Sequence, residues 1–138
     1  MILVDTSVLI DYLIGVENSG TKAFNDILEK KIPFGIHHLI YLEALQGSRT
    51  ENDFETLKRY LDTQTFYDVK NARESYAEAA RMFFILRKKG ITVRSTLDCL
   101  IARVAIENGL FLLHNDEDFT RISKHFPLKV WIEHKGNR

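Results

Sequence analysis

Short apolar segments alternate with helical segments along the whole chain, and this alternation constrains the fold more than any other feature. The clearest apolar segments are Ile2 to Val4 and Phe111 to Leu113, which we predict to be buried strands. Further strand candidates are Pro33 to Ile36, Thr65 to Tyr67 and Lys129 to Ile132. Strands separated by helices favour an α/β fold with a mainly parallel central sheet between two helical layers, a three-layer α/β/α sandwich.

Helical segments fill the intervals between these strands. Hydrophobic spacing predicts helices over residues 7–13, 21–30, a region ending at 46, 52–61, 72–89, 95–108 and 117–126. In the helix over 72–89 we expect Tyr76, Ala80, Phe83 and Leu86 to form the buried stripe, and Gly90 to end the helix. A length of 138 residues predicts a single domain over 1–138.

Cysteine content and the first residues of the chain indicate a cytoplasmic protein. The single cysteine, Cys99, has no partner for an internal disulfide, which favours a reducing compartment. Asp5 and Asp11 interrupt the apolar N-terminal residues, which argues against a signal peptide. The longest purely apolar stretch, Met82 to Leu86, is far too short to span a bilayer.

The net charge gives no argument for a nucleic-acid partner, because Lys and Arg together number 19 and Asp and Glu together also number 19. The distribution is less even, since the strip over residues 81–94 has five basic residues and no acid: Arg81, Arg87, Lys88, Lys89 and Arg94. Two interpretations remain open. The strip either binds phosphates or forms a solvated face that complements the C-terminal end of a helix.

Four acidic residues lie in or next to apolar segments. Asp5 and Asp116 follow strand candidates, whereas Glu43 and Asp98 lie in apolar helical segments. A carboxylate in apolar surroundings loses hydration unless it is paired, protonated or bound to a cation, and these segments contain no matching run of Lys or Arg. Ligands bind beyond the carboxyl ends of the strands in open α/β sheets. We therefore predict a divalent metal site at that edge, with raised pKa values where the carboxylates repel one another.

Each acid also has a structural interpretation when it is considered alone. Asp5 could begin a turn, Asp98 could complement the dipole of a helix first turn, and Asp116 could be an N-cap. Glu43 has no capping role in the middle of a helix. Carboxylate oxygens with few imidazoles or thiolates suit hard cations, so Mg²⁺ is the expected ion and Mn²⁺ its expected substitute.

Four stretches of the sequence occur together in an order typical of one family. They are DTSVLID from residue 5, EALQG from residue 43, DCLIA from residue 98 and LHNDEDF from residue 113. In this order the chain resembles the PIN domains, and within them the compact VapC-type toxins of toxin–antitoxin pairs. The resemblance spans nearly the whole chain and implies a PIN-like fold.

The resemblance implies a metal-dependent endoribonuclease that hydrolyses RNA phosphodiester bonds. The implied metal ligands and catalytic residues are Asp5, Glu43, Asp98 and Asp116, with Asp118 as a candidate fifth acid. Hydrogen bonds that orient these carboxylates would come from Thr6, Ser7 and Asn115. His114 departs from the family pattern, in which Thr or Ser is frequent, and leaves the local hydrogen bonding to be determined.

The implied partners are RNA, a homodimeric second copy and a cognate antitoxin that inserts a peptide segment, often with a basic side chain, into the acidic groove. Candidate contacts for these partners are exposed parts of residues 72–89, Phe24 and Tyr41. Two other functions remain open: a PIN nuclease of RNA processing or turnover, and a non-enzymatic α/β signalling module that binds Mg²⁺.

Overall fold

The computed structural model describes residues 1–131, and the predicted end of the last strand, Ile132, lies outside them. The strands are β1 (Ile2–Val4), β2 (Phe34–Ile36), β3 (Thr65–Phe66), β4 (Phe111–Leu113) and β5 (Lys129–Val130). The helices are α1 (Thr6–Leu13), α2 (Ser19–Glu29), α3 (His38–Gln46), α4 (Glu51–Leu61), α5 (Ala72–Lys88), α6 (Thr96–Glu107) and α7 (Glu117–Ser123). Among the described residues, no helix combines the length and apolar character that crossing a membrane requires.

The five strands form one sheet in the order β3-β2-β1-β4-β5, and every neighbouring pair is parallel. This confirms the predicted α/β class and parallel sheet. β1 is the central strand, and all three of its residues are completely buried. Its register aligns Ile2 with both Phe34 and Phe111, so its two neighbours end at the same edge of the sheet.

The direction of the crossovers places the helices in two layers. From β1 the chain moves outward through β2 to β3, and it then returns across the sheet to β4 and β5. Right-handed crossovers therefore place α1 to α4 on one face and α5 to α7 on the other. The packing agrees, because α1 contacts α2 and α3, α3 contacts α4, and α6 contacts both α5 and α7.

The buried face of α5 differs from the predicted stripe. Tyr76 is 53% exposed and Ala80 is also exposed, so the prediction was wrong at both positions. The helix instead buries the side chains Ser75, Ala79, Met82 and Leu86. Ser75 is tolerated in the core because its hydroxyl donates a hydrogen bond to Glu107 Oε2 at 2.7 Å, which satisfies the buried polar group.

Phe24 cannot be a partner contact, contrary to the sequence-based expectation. Its side chain is completely buried and packs edge-on against Tyr12 and Phe34, with ring centroids 4.9 and 5.2 Å apart. These contacts make Phe24 part of the interface between α2 and the sheet.

Candidate metal centre

Two of the predicted acids lie where adjacent parallel strands end. Asp5 directly follows β1, and its backbone N–H donates to the carbonyl of Leu113, the last residue of β4, at 3.0 Å. Asp116 comes three residues after Leu113 and is the N-cap of α7. The adjacency of β1 and β4 therefore brings Asp5 and Asp116 to the same edge, although 111 positions separate them in the sequence.

Two helices bring the other predicted acids to this edge. Glu43 projects from α3, and Asp98 lies in the first turn of α6. A cavity of about 320 Å³ is lined by all five predicted acids: Asp5, Glu43, Asp98, Asp116 and Asp118. Leu39, Leu97 and Ile101 contribute apolar walls, so these carboxylates have less access to water than surface acids have.

Asp98, Asp116 and Asp118 form the tightest part of this cluster. Each offers one carboxylate oxygen, and these three atoms all lie within 4.8 Å of one another. Asp5 and Glu43 line the same cavity outside this group of three. An all-carboxylate donor set with this spacing fits a hard divalent cation such as Mg²⁺ or Mn²⁺.

Asp5 and Asp116 are helix N-caps as well as cavity residues. Asp5 accepts hydrogen bonds from the backbone N–H and the hydroxyl of Ser7, at 3.0 and 2.7 Å. Asp116 accepts from the backbone N–H of Asp118 at 2.9 Å. The structural and functional interpretations of these two residues are therefore compatible, because each cap holds its carboxylate at the cavity.

Hydroxyl groups orient two of the acids. Thr6 donates to Glu43 Oε1 at 2.7 Å, and Ser7 donates to Asp5. Asn115, which was expected to have the same role, reaches Asp5 through Ser7, whose hydroxyl accepts a bond from the Asn115 backbone N–H at 3.0 Å. The Asn115 side chain instead donates to Asn18 Oδ1 at 2.9 Å, which ties the loop after β4 to the start of α2.

Burial and mutual repulsion perturb the acids as expected. Burial, followed by the charges of Asp116 and Asp5, raises the pKa of Asp98 from 3.8 to about 7. Burial also raises the pKa of Asp5, despite its hydrogen bonds with Ser7. Asp98 and Asp5 therefore hold protons more tightly than ordinary carboxyl groups, as expected for carboxylates that are buried close together.

Two arginines pair with the acids, which the sequence analysis did not predict. The side chain of Arg94 donates to Asp116 Oδ1 at 2.8 Å and to Asp118 Oδ2 at 3.2 Å. Arg121 donates to Asp118 Oδ1 at 2.9 Å. The segments that carry the acids contain no matching run of Lys or Arg, and tertiary contacts supply the cationic partners instead.

Asp118 is the most strongly paired of these acids. Its side chain is 1% exposed, and burial by itself would raise its pKa, but hydrogen bonds from the backbone and side chain of Arg94 and from protonated Asp98 lower the pKa instead. Within the strip over 81–94, Arg94 lines the acidic cavity. The other four basic residues lie on exposed positions of α5 or its C-cap.

His114 takes part in local hydrogen bonding at the position where it departs from the family pattern. Its Nδ1 atom accepts from the backbone N–H of Asp116 at 3.1 Å, and its ring packs against Phe119. Burial lowers the pKa of His114. A neutral imidazole therefore supports the turn that presents Asp116.

Comparison with known proteins identifies close sequence relatives. Residues 2–125 match the family model described as PIN domain. Ribonuclease VapC11 of Mycobacterium tuberculosis is 32% identical over 125 residues, which cover 90% of this chain and 92% of that protein. VapC ribonuclease Mb1587 of Mycobacterium bovis has the same identity and coverage.

Solved structures share the fold over almost the whole chain. VapBC2 from Rickettsia felis, bound to a promoter DNA fragment, superposes with a TM-score of 0.69 at 22% identity, covering 95% of this chain and 98% of that one. The DNA-bound VapBC from Salmonella typhimurium has a TM-score of 0.70 at 18% identity, covering 94% and 96%.

Proposed function

The chain belongs to the PIN domain family, within its VapC group, and from this premise we propose that it is a Mg²⁺-dependent endoribonuclease, the toxin of a toxin–antitoxin pair. The observation that carries the proposal is the group of three carboxylates, Asp98, Asp116 and Asp118, with oxygens within 4.8 Å of one another. The mycobacterial relatives that are 32% identical are named as ribonucleases, which supports RNA as the substrate.

The proposed metal ligands are Asp5, Glu43, Asp98 and Asp116, with Asp118 as the fifth acid. When bound, Mg²⁺ lowers the pKa of water and neutralises charge that develops on phosphoryl oxygens, which is the chemistry that phosphodiester hydrolysis requires. The protein supplies the orientation of the acids. Thr6 fixes the rotamer of Glu43, and Ser7 fixes that of Asp5, so these carboxylates need little reorganisation.

We extend the proposal to the partners. A cavity with several carboxylates attracts a basic side chain, and an antitoxin segment that carries one would close the site. A second copy of the chain remains our prediction for the oligomeric state. We place the activity in the reducing cytoplasm, because the protein's single cysteine is buried without a disulfide partner.

Cleavage of a mixed RNA pool by purified protein tests the proposed activity. We expect cleavage with Mg²⁺ or Mn²⁺, none with chelator, and none from an Asp98→Asn variant, because that variant lacks a charged ligand. Asp26→Asn is the matched control, since Asp26 is a surface acid on α2 that pairs with Lys30. It should cleave at the rate of the unaltered protein.

Two results would contradict the proposal in different ways. An Asp98→Asn protein that cleaves at the normal rate would remove Asp98 from the site. Metal binding by the unaltered protein without cleavage of any RNA would instead favour the non-enzymatic signalling module.

A further inference from the structure

The side chain of Arg94 lies across the carboxylates that are proposed to bind metal. Its Nη2 atom is 2.8 Å from Asp116 Oδ1, and its Nε atom is 3.2 Å from Asp118 Oδ2. Both acids belong to the group of three whose oxygens lie within 4.8 Å of one another. A guanidinium therefore contacts two of the three residues that a divalent cation would use.

A guanidinium and a metal ion compete for the same lone pairs of these carboxylate oxygens. Asp118 Oδ2 accepts a hydrogen bond from the Arg94 side chain, and Asp118 Oδ1 accepts one from Arg121. A cation that binds Oδ2 therefore requires a lone pair that Arg94 now uses. Like charges close together in a partly enclosed cavity also repel. Cation binding therefore favours departure of the Arg94 side chain.

Arg94 can leave without disturbing the backbone. Its side chain is 72% exposed, so little packing holds it. Its backbone N–H separately donates to Asp118 Oδ2 at 3.1 Å, and this contact does not depend on the guanidinium. This backbone hydrogen bond therefore holds the loop before α6 in place when the side chain moves.

A second cavity lies on the other side of Arg94. It has a volume of about 830 Å³, and Arg94, Asp116 and Asp118 line both this groove and the acidic cavity. Its remaining walls include Thr92, Arg121, Lys124 and His125. Glu117 also lines this groove and pairs with Arg121 at 3.2 Å, and Lys124 is a further cationic residue of the wall. A guanidinium that swings out of the acidic cavity enters this groove beside Lys124, and two cationic groups suit a phosphate.

We propose that Arg94 is an internal counter-cation that a divalent ion displaces, and that the displaced guanidinium then binds a phosphate of the RNA in the adjoining groove. The displacement part rests on the metal site of the proposed function, and the RNA part rests on its substrate. Arg94 thereby couples the two binding events, because metal binding makes the phosphate ligand available.

Metal affinity without RNA tests the displacement. Mn²⁺ binding is measured by titration calorimetry for the unaltered protein, Arg94→Gln, Arg94→Lys and the control Arg81→Gln. Arg81 is a 66% exposed residue of α5. Arg81→Gln removes one positive charge, as Arg94→Gln does, so the two variants have the same net charge. We expect Arg94→Gln to bind Mn²⁺ about tenfold more tightly, since a competing charge is gone, and the other two variants to remain close to the unaltered protein. Equal affinity in Arg94→Gln would overturn the proposal.

RNA binding tests the second part of the proposal, in which the displaced Arg94 side chain binds a phosphate of the RNA. Fluorescence anisotropy is measured in chelator and in Ca²⁺, which takes oxygen ligands, with gels to verify that the RNA stays intact. We expect Arg94→Gln to bind RNA about tenfold more weakly in Ca²⁺ and equally in chelator, since one charged phosphate contact is lost. An equal loss in both conditions would overturn the coupling and leave Arg94 as a permanent contact.

The two proposals fail in distinguishable ways. If the unaltered protein cleaves no RNA while Arg94→Gln still binds Mn²⁺ more tightly, the nuclease proposal fails and the displacement is supported. If the protein cleaves RNA and Arg94→Gln leaves both affinities unchanged, the nuclease proposal stands and the role of Arg94 is refuted. Thermal unfolding of each variant verifies that it is folded.

Discussion

At the scale of single residues, Asp98 shows how the site remains stable before a cation binds. Its oxygens lie beside Asp116 and Asp118, and full ionisation of all three would be costly in a cavity with apolar walls. Two devices reduce that cost: the pKa of Asp98 rises to about 7, and Arg94 pairs with the other two acids. Both features lower the negative charge of the group of three, and the proposed cation would take the place of the proton and the guanidinium.

Replacement of Asp98 should make the metal-free protein more stable, to an extent that depends on pH. Since the pKa of Asp98 is about 7 in the folded protein against an ordinary 3.8, the folded state binds more protons between these values and the free energy of unfolding falls as pH rises from about 4 to 7. Asp98→Asn removes this loss. Across that range the free energy of unfolding of the variant should become about 1–2 kcal/mol larger than that of the unaltered protein. Solvent screening keeps this difference below the value that the full pKa shift would give.

Urea unfolding in chelator at pH 5, 6, 7 and 8 measures this gain. The gain should increase up to pH 7 and then level off, while Asp26→Asn should show no such trend. A constant difference between Asp98→Asn and the unaltered protein would contradict the raised pKa.

At the scale of elements, the start of α2 supports the loop that carries Asp116. Gly20, in the first turn of α2, is so close to the Asn115 amide that a Cβ at position 20 would overlap it. The Asn115 amide donates to Asn18 at 2.9 Å, and its backbone N–H donates to Ser7. Close approach of α2 thus links the loop after β4 to the residue that holds Asp5.

Gly20→Ala should therefore impair the site although alanine favours a helix. The added methyl group displaces Asn115, and we expect a loss of about tenfold in the RNA cleavage rate, as is usual when a group that supports metal ligands is disturbed. In an Asn115→Ala background the same methyl group meets open space, so Gly20→Ala should have little further effect. Single-turnover cleavage by the two single variants and the double variant measures this coupling, and simple additivity would exclude it.

At the scale of the whole molecule, the sheet topology assembles the site. The strand order β3-β2-β1-β4-β5 makes β1 and β4 neighbours, and α3 and α6 reach the same edge from opposite faces of the sheet. A cation held there would bind residues from both helical layers. Cation binding should therefore stabilise the whole domain rather than one element.

Mg²⁺ should raise the free energy of unfolding of the unaltered protein. An ion that binds only the folded state adds about 2.7 kcal/mol at 100 times its dissociation constant. Thermal unfolding over a series of Mg²⁺ concentrations measures this effect, which should disappear in Asp116→Asn and persist in Asp26→Asn. Equal stabilisation of Asp116→Asn would place the ion elsewhere.

Strand and helix positions, the mainly parallel sheet and four acids of the cavity were predictable from local patterns, whereas the fifth acid, Asp118, came only from the family resemblance. The chain predicts them because buried strands require continuous apolar runs, helices require periodic ones, and an acid in such a run has few stable environments. The buried face of α5 was not predictable, since Ser75 is buried through its bond to Glu107, 32 positions away.

The sequence by itself determined which residues could hold a cation, since carboxylates in apolar segments are conspicuous wherever the chain places them. Tertiary structure alone decided how their charges are balanced. Arg94 is one of five basic residues in its strip, and nothing local distinguishes it, but the packing of α6 against α7 brings it to Asp116 and Asp118. Electrostatic pairing depends on distance in space, and distance in space is set by how the elements pack.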